Sequence, residues 1–252
     1  MLLFKKIFAK IIGWFGYKLI SKNQIKNLRT LGKKSKYKIK FIKDKIFNEF
    51  KINSLIQIGA NDGVRFDELN NYIKKYRVNC ILVEPIPKYF EKLRFNYKNY
   101  EFVKLENLAI SDEEEEKSIY IVKDNFIKNY GDHINGINSF NKSHLIKHGV
   151  NKGHIESKKV NCITIKNLIE KNKITNLGLL FIDTEGYDGN IVYNFLETVN
   201  QRPIIIFEFI HIDSVFFEKV INKLDSKNYS YFEVNENLIC LPKEEKSILC
   251  LV

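Results

Sequence analysis

The stretch SLIQIGANDGVRFDEL, Ser54–Leu69, stops an apolar run on Gly59, follows it with Asn61, Asp62 and Gly63, and resumes with a helical pattern. Glycines in a strand-to-helix turn let backbone approach a ligand closely. One strand–helix–strand unit further on stands Glu84, at the end of the apolar run NCILVEP, where a carboxylate can accept two hydrogen bonds from a ribose diol. The turn lacks a third glycine, and Asp62 stands where a pyrophosphate would lie; a carboxylate there repels phosphate and attracts a cation. S-adenosylmethionine carries no phosphate and bears an ammonium and a sulfonium, so the acidic turn favours it over NAD or FAD.

More chemistry-bearing residues fall at later strand ends. Asn107, Ala109, Ser111 and Asp112 follow the third apolar run, Asp183 and Glu185 follow LGLLFI, and Glu208 and His211 follow RPIIIFEF. In an open α/β sheet, ligands bind outside the carboxyl ends of the strands. Gly59, Asn61, Asp62, Gly63, Glu84, Asp112 and Asp183 form the expected cofactor set. Methyl transfer is an in-line displacement governed by alignment, and a hydroxyl acceptor profits from a base. Asp183 and Glu185 are expected to frame the methyl donor, while Glu208 or His211 orients or deprotonates the acceptor. Glu185, just before Gly186, could instead simply cap the following helix.

Positioning these residues requires alternating strands and helices, and the pattern from Ile52 onward supplies them: an α/β fold with a mostly parallel sheet covered on both faces. Strands are expected at SLIQIG, NCILVEP, YEFVKLENLAIS, KSIYIV, KKVNCITI, LGLLFIDTEG, RPIIIFEF, YSYFEV and LICLP. Helices are expected over 64–76, IPKYFEKLRFNYKN, KNLIEKN, YDGNIVYNFLETV and about 214–226, with an antiparallel pair closing the sheet. Residues 123–157 show no clear period and read as a long loop, a lid over the cofactor in which Asn138 and Ser139 offer polar contacts to an acceptor. Four of the five histidines, His133, His144, His148 and His154, lie there, but spacings of 11, 4 and 6 match no strong metal pattern. No metal ligands are assigned, although Asp183 and Glu208 together would suit a hard divalent ion.

At this point IQIGANDG, LVEPIP, NLAISD and LLFIDTEGYDGNIV resemble the FkbM family of S-adenosylmethionine-dependent methyltransferases, over about residues 52–241. The resemblance implies a Rossmann-like class I methyltransferase with a seven-stranded sheet, helices on both faces and an antiparallel C-terminal edge pair. It implies O-methylation of sugars or hydroxylated natural products, often within polysaccharide biosynthesis, and backbone contacts from Ala109 and Ser111 to the adenine. Lys166 and Asn167 in VNCITIKNL replace acids that the family usually carries, so no role for those acids transfers. A nicotinamide-dependent oxidoreductase and a non-catalytic membrane-associated scaffold are the competing readings.

Charge is unevenly placed. Residues 1–50 hold 14 of the 41 basic and 2 of the 30 acidic side chains, a net of +12 that leaves the rest of the 252-residue chain near neutral. This argues against a nucleic-acid-binding core and for a basic arm, residues 1–50, ahead of a domain over 51–252. On a helical wheel Leu3, Phe4, Ile7, Phe8, Ile11, Trp14 and Phe15 share one face, as a helix at a membrane interface does. The lysines interrupt the run too often for a bilayer span. Residues 1–45 are therefore expected to meet an anionic membrane surface from the cytoplasmic side, with packing on the domain or in a homodimer as the alternative. Cys80, Cys162, Cys240 and Cys250 form no C-x-x-C pair and read as reduced thiols.

Overall fold

A computed structural model describes residues 38–244 apart from residue 66. The amphipathic stretch over residues 1–20, the lysines up to residue 37 and Cys250 lie outside the described residues. No described helix is long and apolar enough to cross a membrane.

Ten strands and seven α-helices alternate through the described chain. The first half contains α1 (Ile39–Glu49), β1 (Ser54–Ile58), α2 (Asn70–Tyr76), β2 (Asn79–Val83), α3 (Pro87–Tyr97), β3 (Val103–Glu106), β4 (Ala109–Ile110) and β5 (Glu115–Val122). The second contains α4 (Lys142–Lys147), β6 (Ile155–Ile163), α5 (Ile165–Lys171), β7 (Leu179–Ile182), α6 (Asp188–Thr198), β8 (Ile204–Glu208), α7 (Ser214–Ser226), β9 (Tyr229–Val234) and β10 (Asn237–Pro242). Seven strands form the main sheet in the order β3-β2-β1-β7-β8-β10-β9. β1, β2, β3, β7 and β8 run parallel, and β10 lies antiparallel between β8 and β9. The mostly parallel seven-stranded sheet with its antiparallel C-terminal strands is the expected architecture.

Both faces of that sheet are buried, which is why its central strands read as unbroken apolar runs. On one face Ile42, Ile46 and Phe47 of α1, Ile73 of α2, and Leu93 and Tyr97 of α3 pack on Leu55, Leu179 and Phe181. On the other, Leu168 of α5, Ile191, Val192 and Phe195 of α6, and Phe217 and Val220 of α7 cover Ile56, Ile58, Leu180 and Ile182. Each such side chain removed from water stabilises the fold by roughly 1.5–3 kcal/mol. The helix starts are fixed locally. Pro87 opens α3, Thr164 accepts from the Asn167 amide at 3.1 Å, and Asp213 accepts from Val215 and Phe216 at 2.9 and 3.2 Å.

Four expectations change. The helix expected over 64–76 begins only at Asn70, because Asp62 and Asp67 each gather backbone amides into successive turns before it. The third apolar run divides: β3 joins the main sheet, whereas β4 joins β6 and β5 in a separate three-stranded sheet. Residues 123–157 are not a loop but a folded insertion of short 3₁₀ turns and α4. It has its own small core of Ile134, Ile137, Leu145 and Val150 against Val122 and Ile155. Finally, the basic arm does not extend to residue 50: α1 is built into the domain. Lys43, only 5% exposed, ties α1 to Glu68 at 2.6 Å.

Candidate active site

β1 lies between β2 and β7, so the chain leaves it toward opposite sides of the sheet, and a crevice opens beyond its carboxyl end. The Asp183 amide extends the ladder to Ile58 O at 3.0 Å, which lays the residue directly over Gly59. A Cβ at Gly59 would fall 1.8 Å from Asp183 O, and its φ is +87°, so only glycine closes this junction. Gly63 is required for packing instead: at φ +71° a Cβ would meet Leu93 and Tyr97 at 2.5 and 2.7 Å.

Two cavities open at the junction. The first has a polar end at Gly59, Asn61, Glu84 and Asp183 and an apolar wall from Ile86, Ala109, Ile119, Phe140 and Tyr187. Phe140 and Tyr187 meet edge to face at 5.2 Å. Glu84 is buried and accepts the Asn61 amide on one oxygen and the Ile86 amide on the other, both at 2.9 Å. Burial pushes its carboxyl up to about 7, against the pull of those two amides. The second cavity, about 690 Å³ and more open, is lined by Glu68, His133, His148, Glu208, His211 and Glu236 among others. Both cavities share Gly59, Asn61, Gly136, Asp183 and Glu185.

Asp183 is exposed to the cavities it lines, yet sits deep in the crevice, so the exposed area is interior wall. Burial, then the charges of Asp188 and Glu185, hold its carboxyl well above the usual range. Glu185 sits in the left-handed region at φ +56°, and burial followed by the Asp188 charge raises its carboxyl to about 8. Its Oε2 lies 2.8 Å from His144 Nε2, while burial lowers His144 to about 4. The contact is therefore a neutral hydrogen bond rather than an ion pair at pH 7. Glu208 and His211, 3.4 Å apart, are likewise no ion pair at pH 7: burial raises the first to about 10 and lowers the second to about 4.

The structure thus brings Gly59, Asn61, Glu84, Ala109, Asp183 and Glu185 to the first cavity, with Glu208 and His211 in the second. Asn138 and Ser139, expected to meet an acceptor, line the first cavity instead, and the Ser139 hydroxyl donates to Glu185 O at 2.9 Å. Asp62 serves the turn rather than a ligand. Its Oδ1 accepts the amides of Val64 and Arg65 at 2.9 and 2.8 Å, and the residue lines neither cavity. The carboxyls of the first cavity are those of Glu84, Asp183 and Glu185, and among the described residues no lysine or arginine lines it. Gly63, Asn107, Ser111 and Asp112 also stand behind the wall. Asn107 donates to Glu84 O at 2.8 Å, Ser111 accepts from Lys117 at 2.7 Å, and Asp112 accepts from Asn194.

Sequence reasoning passed over Asp188, fully buried at the start of α6. It gathers the Thr184 hydroxyl at 2.9 Å and the Gly186 amide at 3.2 Å, holding the turn that presents Glu185. His144 and His148 were passed over too. With Glu185 and His211 they place one ligand-capable atom each within 4.8 Å of one another. Their four-residue spacing was the available signal, readable only if residues 142–147 are taken as helical.

Comparison with known proteins adds the following. The family model of the methyltransferase FkbM domain matches residues 57–231. No protein of curated function matches the sequence. Among solved structures, a methyltransferase FkbM from Methylobacillus flagellatus is 10% identical with a TM-score of 0.47, over 75% of this chain and 43% of that one. The chain therefore spans under half the length of that structure. A methyltransferase from Podospora anserina, PaMTH1, solved with SAH bound, is 12% identical with a TM-score of 0.43, over 79% and 74% of the two chains.

Proposed function

This chain belongs to the FkbM methyltransferase family, and from that premise we propose that it is an S-adenosylmethionine-dependent O-methyltransferase acting on a hydroxyl of a sugar in a cell-surface polysaccharide or glycolipid. The observation that carries the reading is the pair of cavities joined at Gly59, Asp183 and Glu185: one fits a nucleoside and the other a polar acceptor.

The first cavity fits the cofactor by its donor set. Glu84 offers carboxylate lone pairs to a ribose diol, and the Phe140–Tyr187 side offers apolar surface to a purine. The bare Cα of Gly59 admits close backbone approach, and the carboxyls of Asp183 and Glu185, whose proton affinity burial raises, would ionise beside a positively charged centre. When bound, the cofactor supplies the methyl group. The chain's own part is alignment. Asn61, held at φ +49° with its side chain donating to Asn135 O at 2.8 Å, fixes the turn that both cavities share. The neutral imidazole of His211 faces the acceptor cavity, where it takes the hydroxyl's proton, and Glu208 beside it, itself protonated, helps to orient that hydroxyl. The polar, acid-rich lining favours a hydroxylated acceptor over an apolar or anionic one.

The basic segment before residue 38 supports work at an anionic membrane surface on the cytoplasmic side, where lipid-linked glycans would be the acceptors. The experiment for the central reading is calorimetric titration of the full chain with S-adenosylmethionine, its demethylated product and NADH. Saturable binding of the first two and none of NADH is expected; binding of NADH alone overturns it. Glycan from a deletion strain, lighter by one methylene on a single sugar, identifies the acceptor.

A further inference from the structure

We propose that His144, His148, Glu185 and His211 form a binding site for one divalent transition-metal cation of the zinc class, set in the wall between the folded insertion and the acceptor cavity. The four residues come from three separate segments: α4 with its C-terminal cap, the turn after β7, and the segment after β8. Nothing in local sequence requires three imidazoles and a carboxylate to converge there. Their rings nevertheless pack with centroids 4.5 Å apart for His144 and His148, 4.7 Å for His144 and His211, and 5.7 Å for His148 and His211.

Ligand geometry supports the assignment. Tetrahedral zinc with bonds of about 2.0–2.1 Å separates its ligand atoms by roughly 3.3 Å. The four candidate atoms already lie within 4.8 Å of one another, and His144 Nε2 and Glu185 Oε2 stand at 2.8 Å, so small side-chain rotations close the set. His144 and His148 occupy successive turns of one helix face, the spacing by which a helix presents two imidazoles to one ion. Glu185 is aimed inward by its left-handed backbone, with Asp188 and Ser139 holding the turn from behind. Three nitrogens and one oxygen suit zinc, cobalt, nickel or iron and do not suit magnesium or calcium, which prefer all-oxygen shells. Among the described residues this is the one such grouping.

The position implies a use. His148, Glu185 and His211 line the acceptor cavity while His144 lies buried behind them. A cation there would take over from His211 as the activating group: as a Lewis acid it would lower the pKa of a hydroxyl that reaches it, and the proton would leave to the water of the open cavity. That use rests on the methyl-transfer reading; the binding itself does not.

The test uses the full chain, stripped with chelator and titrated with Co²⁺, whose tetrahedral complexes absorb strongly in the visible. We expect an intense band saturating at one equivalent, displaced by Zn²⁺ and untouched by Mg²⁺, with a matching rise in melting temperature. His148→Asn and His211→Asn should each weaken Co²⁺ binding about 100-fold or more while the demethylated cofactor product still binds as in the wild type, which shows that the variants fold. A wild-type titration with no stoichiometric band, or one that both variants leave unchanged, overturns the site, even where no variant folds, since the wild-type spectrum decides alone. If cobalt binds but S-adenosylmethionine does not, the metal site stands and the methyltransferase reading falls.

Discussion

The two cavities share a wall but not an origin. The first is bounded largely by strand ends of the main sheet: Gly59 after β1, Glu84 after β2, Asp183 after β7, positions that parallel pairing places side by side. The second takes much of its character from His133, Ile137 and His148 of the insertion between β5 and β6. A sheet in fixed register positions its loops whatever their content, whereas the insertion must be held by its own core and by side chains meeting across the gap. The first cavity is thus set by the register of the sheet and the second by the packing of the insertion.

Three substitution and titration experiments press on that division. The largest effect is expected from His211→Ala, which removes the proton acceptor on the acceptor side: kcat should drop by about 10²- to 10⁴-fold with cofactor affinity unchanged. If affinity falls in step with turnover, the two cavities are not functionally separate. Glu84→Gln should act in the opposite sense. A neutral amide cannot accept from both backbone N–H groups that Glu84 now serves and still bond a ribose. Cofactor Kd is expected to rise about 10- to 100-fold, on the scale of one charge-assisted hydrogen bond, while turnover at saturating cofactor holds. Unaltered Kd would remove Glu84 from the binding site.

The third effect concerns pH and is read as stability rather than as activity. Glu84 ionises near 4.5 in the unfolded chain and at about 7 in the fold, so between those values the folded state holds the extra proton. Stability from this group is therefore full below pH 4.5 and lost as pH rises through 7, by on the order of 3 kcal/mol. Denaturant melts across that window should show the fall in the wild type and less of it in Glu84→Gln. Parallel curves for the two proteins would mean that the carboxyl is not buried as described.

What could be read without coordinates follows the same division. β7, with all four residues buried, and the capped helix α7 announce themselves by an apolar run and a strong local start signal. The crevice residues Gly59, Glu84, Asp183 and Glu185 were legible because strand ends are informative in any parallel sheet. Asp62 misled, since a carboxylate two residues before free amides is as apt to bind them as a ligand, and local closure won. The insertion hid because its helix is six residues long and its turns are 3₁₀, too short for a period to emerge. With the helix unseen, His144 and His148 had no shared face, and their convergence with His211 depends on contacts no single segment encodes.

The insertion is fastened at both ends of the crevice: Asn61 donates to Asn135 O at 2.8 Å, and Ser139 donates to Glu185 O at 2.9 Å. A guest that tightens either fastening firms up the surface on which the other guest sits. On the proposed reading, cofactor and acceptor would be coupled through the chain as well as through the reacting atoms, and thermodynamic reciprocity requires any such coupling to act equally in both directions.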